Sequence, residues 1–285
     1  MLQIYILFAL LAMVFYGFSD FTGALAARRD HPIRAALWSL LVGSAILFIV
    51  YLLFFRSSMI SADALFILII AGMIGACATL AFFKGMQVGK VAIVSPISNA
   101  WSVVIVLFGI AFFLQKPSVI ESIGIVMIIA STILISLDLK QIRKLRFEGI
   151  ESGIAYGLVG MLGWGIMFLL MDFVIPKTGW FLPVFIIYIV QSAVALALTL
   201  WAKKGLWASS KSVPYILTNG VFGVVAFLAY SVGVSSGNAV IVAPIAASAP
   251  FITVILAILL LRERLRAGQL LSVAAIILGI VILAV

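Results

Sequence analysis

Charge is scarce in this sequence. Lys, Arg, Asp and Glu make up 9% of its 285 residues, while 66% are hydrophobic. A soluble domain carries about 25% charged and 45–50% apolar residues, so water cannot be the solvent for most of this surface. Cysteine is nearly missing too. Cys77 stands alone inside an apolar run, which excludes an intrachain disulfide. His31 is the sole histidine, and no His/Cys/Asp/Glu cluster has metal-ligand spacing, so no metal is expected. There is no Gly-rich phosphate loop ending in Lys-Ser or Lys-Thr, so no ATP-driven activity of this chain is expected. Nearly all nine carboxylates fall in connections, which leaves no catalytic cluster, so neither an enzyme nor a cofactor is expected.

What is abundant is the long apolar run. A helix needs roughly 20 apolar residues to cross a bilayer core about 30 Å thick. Ten runs qualify: 3–26, 34–55, 63–84, 91–114, 118–137, 150–173, 180–202, 213–235, 238–261 and 267–285. Strict polar–apolar alternation over strand length is absent, which excludes a β-barrel. The expected fold is an all-α integral membrane protein of ten transmembrane helices. The first run ends at Arg28-Arg29; a signal peptide has the reverse charge order, so the run reads as a mature helix.

The net charge of +9 does not point to nucleic acid, because the basic residues sit in short connections between runs. Fifteen of the 18 Lys and Arg residues follow odd-numbered spans. The positive-inside rule then places both termini outside a cell (inner) membrane.

Aligning the sequence with itself at a shift of 148 superposes Gly75–Ile97 on Gly223–Ile245, with 10 of 23 positions identical and no gap. Gly85, Gly89 and Pro96 meet Gly233, Gly237 and Pro244. Tyr16-Gly17 meets Trp164-Gly165, and Gln115 meets Glu263. The chain therefore divides into a first repeat, 1–137, a basic linker, 138–149, and a second repeat, 150–285. Five spans is an odd number, so the two repeats are inverted. Inverted, equivalent halves can exchange conformations and open a central site to either side in turn.

These features resemble the drug/metabolite transporter superfamily, in its EamA-like ten-helix branch. The likeness rests on the 5+5 repeat, the aromatic-Gly pairs, and Gly-x-x-x-Gly followed by Val94-Ser95-Pro96-Ile97 and Val242-Ala243-Pro244-Ile245. It also rests on Arg262-Glu263-Arg264-Leu265; the first half departs there, with Gln115-Lys116-Pro117. The resemblance implies secondary transport through a central cavity and leaves the substrate open.

Several side chains suit such a cavity. Asp20 lies within the first span, where an acid costs at least about 2.5 kcal/mol and must face protein or water. It is placed to bind a cationic group or a coupling proton, with a position at the headgroup boundary as the plainer alternative. Asn99 lies one turn beyond Pro96, on the same face, and suits a substrate hydrogen bond. For Trp101, nearer the opposite side, facing lipid is the simpler expectation. Gln191 and Tyr188 form a second polar stripe, for which helix–helix hydrogen bonding competes equally. Tyr16, Trp164, Phe82 and Tyr230, aromatic at paired positions, can wall the cavity and stack on a solute. Pro96 and Pro244 each remove a backbone donor, which suits a hinge or helix break. Lys84 reads best as a lysine reaching to the interface.

The function expected is secondary transport of small metabolites, amino acids or related compounds among them, by alternating access. The alternatives are a flippase of a lipid-linked headgroup and a multidrug or cation exporter. The partners expected are a small solute, the bilayer and, for a coupled carrier, protons, in a monomer or homodimer. Spans 1, 3, 4, 6, 8 and 9 are the expected cavity walls.

Overall fold

The computed structural model describes residues 3–284, except 57, 90, 113–116, 135–150, 204 and 262–266. The linker at 138–149, the Gln115–Glu263 pair and the Arg262–Leu265 motif lie outside the described residues.

The ten apolar runs become α-helices because a backbone in lipid has to satisfy its own hydrogen bonds. In chain order they are α1 (Ile4–Arg29), α2 (Pro32–Val50, ending in a π-helical turn, Tyr51–Phe55) and α3 (Ala62–Val88). Then follow α4 (Val91–Asn99), α5 (Trp101–Phe112), α6 (Val119–Leu134), α7 (Glu151–Thr178), α8 (Phe181–Trp201) and α9 (Val213–Ser236). The last are α10 (Ala239–Ala247), α11 (Pro250–Leu261) and α12 (Ala267–Ala284). The fourth span is α4 with α5, and the ninth is α10 with α11. Local chemistry sets several starts. The Ser61 hydroxyl accepts from the Ala64 N–H, and the Asn238 side chain accepts from the Val240 N–H at 2.9 Å. Pro32 opens α2, where its missing donor costs nothing.

Both broken spans break at equivalent places, Ala100 and Ser248-Ala249. Each break is a tight turn: the Val103 N–H donates to the Ala100 carbonyl, and the Phe251 N–H to the Ser248 carbonyl. Pro96 and Pro244 lie inside α4 and α10, and the helices continue through them for three more residues. The interruptions therefore fall one turn beyond the prolines rather than at them. At the second break Pro250 contributes as well, since the residue before a proline is driven away from helical geometry.

Packing follows the duplication. α1 packs on α9 as α7 packs on α3; α2 packs on α9 as α8 packs on α3; α10 packs on α1 as α4 packs on α7. The result is two equivalent bundles, α1/α2/α9/α10 and α7/α8/α3/α4, each mixing both halves of the chain. The Ser44 and Ser192 hydroxyls, 148 residues apart, hydrogen-bond to each other at 2.8 Å, so they straddle the axis relating the halves. Close approaches repeat as well. A Cβ on Gly17 would stand 2.4 Å from the Ile252 Cβ, and one on Gly165 would stand 2.6 Å from the Val104 Cβ. The architecture is ten membrane helices in two inverted five-helix repeats.

Candidate functional site

A cavity of about 100 Å³ lies between the two bundles. Its walls come from the first, second, third, fourth, sixth, seventh and eighth spans. Spans 2 and 7 therefore join the expected walls through Ser39 and Gln191, whereas among the described residues none of span 9 lines it. Tyr16, Asp20, Asn99, Trp164 and Gln191 all line it.

Asp20 is 7% exposed in mid-α1. Its Oδ2 accepts hydrogen bonds from the Ser95 hydroxyl at 2.8 Å and the Asn99 side-chain amide at 2.7 Å, both on α4. The same amide donates to the Ser95 carbonyl at 2.9 Å, which fixes its orientation. Both bonds to the carboxylate fall on one oxygen, and the residue lines the cavity. Asp20 is thus an interior group, about two and a half turns from the end of α1, and not a headgroup-boundary residue. Asn99 stands immediately before the helix break, where an irregular backbone is tolerated because it lines a cavity.

The opposite wall is held by a second polar chain. Trp164 Nε1 donates to the Thr79 hydroxyl at 3.2 Å, and that hydroxyl donates to Gln191 Oε1 at 3.3 Å. Gln191 Nε2 donates to Met167 Sδ at 3.2 Å. Gln191 therefore joins helices and also lines the cavity. Across from it, Asn219 Nδ2 donates to the Ser19 carbonyl at 2.7 Å, tying α9 to α1.

Two expectations change. Tyr230 does not line the cavity. It is fully buried one layer behind, and its hydroxyl donates to Asp172 Oδ2 at 2.9 Å. Trp101 does not face lipid. It is 2% exposed and lines the cavity, 4.4 Å from the Phe168 ring centroid. The break at Ala100 re-aims the chain just before Trp101, so the helical phase that carries Asn99 does not carry over. Lys84 bonds to Gln87 near the end of α3, as an interfacial lysine would. Phe82 also lines the cavity, packed on Trp164.

The backbone repeat is not matched by a repeat of chemistry. At the 148-residue offset, Asp20, Ser95 and Asn99 correspond to Phe168, Ala243 and Ala247. The cavity therefore has one acidic, hydrogen-bonding pole and one aromatic pole, the latter made by Tyr16, Trp101, Phe168 and Phe227. Among the described residues, Asp20 is the only charged one in the lining, and no Lys or Arg joins it there.

The sequence profile of the EamA-like transporter family matches residues 3–137 and again residues 151–285. The chain belongs to the EamA-like transporter family. It is a multi-pass membrane transporter of small solutes. An uncharacterized protein from Methanocaldococcus jannaschii is 28% identical over 135 residues, covering 47% of this transporter and 98% of that protein. A solved crystal structure has the same fold, with a TM-score of 0.76 at 14% identity, covering 98% of this chain and 95% of the other.

One further acid went unnoticed in the sequence because it sits in a short connection. Asp30, between α1 and α2, is bonded by the Ser209 N–H at 2.7 Å and the Ser212 hydroxyl at 2.9 Å, and it pairs with Arg34. The transporter's first connection is thereby tied to the segment before α9, beside a Trp38 Nε1 bond to the Leu206 carbonyl. Burial works to raise the Asp30 pKa. It is outweighed by hydrogen bonds from Ser209, Arg34, His31 and Ser212, which hold the carboxyl below the usual carboxylate range. A group lowered on folding stabilises above its unfolded value and loses that contribution as the pH falls through its folded value. Asp30→Asn should therefore melt several degrees below wild type at neutral pH. The gap should narrow once the pH drops below about 4, as read by thermal unfolding in detergent across a pH series.

Proposed function

We propose that this transporter is a secondary carrier, working by alternating access, for small solutes that join a protonated amine to an apolar or aromatic body. Amino acids and biogenic-amine-like compounds fall within that class. One observation carries the reading: an acidic pole at Asp20 faces an aromatic pole at Phe168 across one cavity. A carboxylate with no basic neighbour attracts a cation and repels an anion, and aromatic faces add a further attraction for an ammonium group. The amide of Asn99 and the hydroxyl of Ser95 hold the carboxylate in place, so little ordering is left for the solute to impose. Alternating access draws support from the inverted repeat, because two equivalent bundles can trade roles across the Ser44–Ser192 axis. The Lys and Arg distribution supports termini outside a cell (inner) membrane, and the site is complete within one chain.

Uptake into proteoliposomes tests the solute class. Tyramine, a zwitterionic aromatic amino acid, an uncharged aromatic alcohol and an aromatic carboxylate would be compared. The amine should be taken up best and the carboxylate least. Preference for the carboxylate would sink the assignment.

A further inference from the structure

A second acid, partly buried as a residue, lies outside the cavity lining. Asp172 is on α7, a turn and a half before its end at Thr178. Its position is on the opposite half of the membrane from Asp20: α1 runs toward the basic connection after Arg29, and α7 runs away from the basic linker. Asp172 Oδ2 accepts from the Tyr230 hydroxyl on α9. Its Oδ1 is buried and has no partner. The Tyr16 hydroxyl is likewise buried without a partner. Tyr16 sits one turn from Asp20 on α1, within electrostatic reach of Asp20, Tyr188 and Asp172.

Between the cavity and Tyr230, the partner of Asp172, lies a layer of aromatic rings. Phe168 packs against Trp101 at 4.4 Å and against Tyr230 at 4.7 Å between ring centroids. Tyr230 meets Trp101 edge-on at 5.5 Å. Tyr16 also touches this layer, edge-on to Phe168.

We propose that Asp172 is a proton-binding site on the half of the membrane opposite Asp20, and that Tyr16 links the two carboxyl groups. A bare carboxylate oxygen in such a setting calls for a counter-charge. No ion pair to Asp172 occurs among the described residues; the next cation along α7, Lys177, lies over the Phe173 ring. The titratable groups facing Asp172 are Tyr230 from α9 and Tyr16 from α1; among the described residues, α3, α4, α5 and α8, also packed on α7, bring none into its reach. A metal cation would need several oxygen ligands, whereas the surroundings are one phenol and aromatic rings. A proton needs only the carboxylate. Tyr16 Oη, without a hydrogen bond to either carboxyl, lies in the field of both. When Asp172 releases its proton to water, the negative charge left there favours proton uptake from water by the Asp20 carboxylate. A proton on Asp20 then competes with an ammonium group for the same carboxylate, which makes the coupling an exchange.

The competition step rests on the proposed transport reading, but the proton site does not. Infrared difference spectra of the purified protein across a pH titration read the C=O stretch of protonated carboxyl groups directly. Wild type should show two titrating carboxylic acid bands. Asp172→Asn should delete one and shift the midpoint of the other, Tyr230→Phe should displace the Asp172 band, and Tyr16→Phe should abolish the mutual shift. Asp172→Glu should retain a titrating band at a changed position, which separates loss of the proton from loss of the fold. In pyranine-loaded proteoliposomes with tyramine as probe, Asp172→Asn should lower solute-driven proton movement at least tenfold, and Asp172→Glu should keep it. An Asp172→Asn spectrum identical to wild type would overturn the proposal. So would tyramine-driven proton movement unchanged in that variant. If tyramine is not carried by wild type, the solute reading fails while the infrared result still decides the proton site.

Discussion

Asp20→Asn should lower amine uptake at least tenfold while leaving the protein folded. The substitution keeps the shape and hydrogen-bonding capacity of the side chain, so Ser95 and Asn99 retain a partner. What disappears is the one charge that the described residues bring to the cavity lining. A charge-assisted contact in a water-poor site contributes about 1.5–3 kcal/mol, and 1.4 kcal/mol is a factor of ten. The neutral aromatic alcohol should lose much less. A thermal-shift series with tyramine separates the two effects: the variant should melt near wild type without solute and gain little on adding it. Equal losses for charged and neutral solutes would mean that Asp20 holds the bundles together rather than reading charge.

Gly17→Val and Gly165→Val should each destabilise the protein by about 3 kcal/mol, the upper end for overpacking. A Cβ at residue 17 collides with Ile252 and stands 2.9 Å from the Ala249 carbonyl, a backbone atom that cannot swing away. At residue 165 it collides with Val104. These two contacts are the same contact, seen once in each repeat, so the two variants should fail alike. Differential scanning fluorimetry and size-exclusion profiles read the outcome. A benign Gly165→Val beside a damaging Gly17→Val would show that the halves do not share a packing solution.

These cases show how far residues alone carry the reader. Span positions were legible because bilayer thickness imposes one length on every helix, and the observed helices begin and end within a few residues of the apolar runs. The repeat was legible because Gly and Pro at matched positions serve backbone contacts, and Gly17–Ile252 with Gly165–Val104 are such contacts. Asp20 with Asn99 was legible because an acid in an apolar run has few ways to be accommodated. Facing was harder. A membrane helix is apolar all round, so periodicity cannot say which side meets protein, and the break at Ala100 changes the phase between Asn99 and Trp101. Tyr230 stands one layer behind the cavity, bonded to Asp172. Apolar length ends that span at 173, whereas α7 continues to Thr178 and carries the acid within the helix. Asp30 depends on a contact across 182 residues, to Ser212, which no local pattern reveals.

The central claim is that one cavity, between two exchangeable bundles, opens to each face in turn. Ser39 lines it from α2 and hydrogen-bonds only weakly, at 3.5 Å, to the Ile216 carbonyl. Ser39→Cys in a Cys77→Ser background would place a single thiol in the cavity wall. Membrane-impermeant maleimide would then be applied separately to each face of oriented vesicles. Alternating access predicts labelling from both faces, slowed from both by tyramine. Labelling from one face alone, under every solute and pH condition, would contradict it.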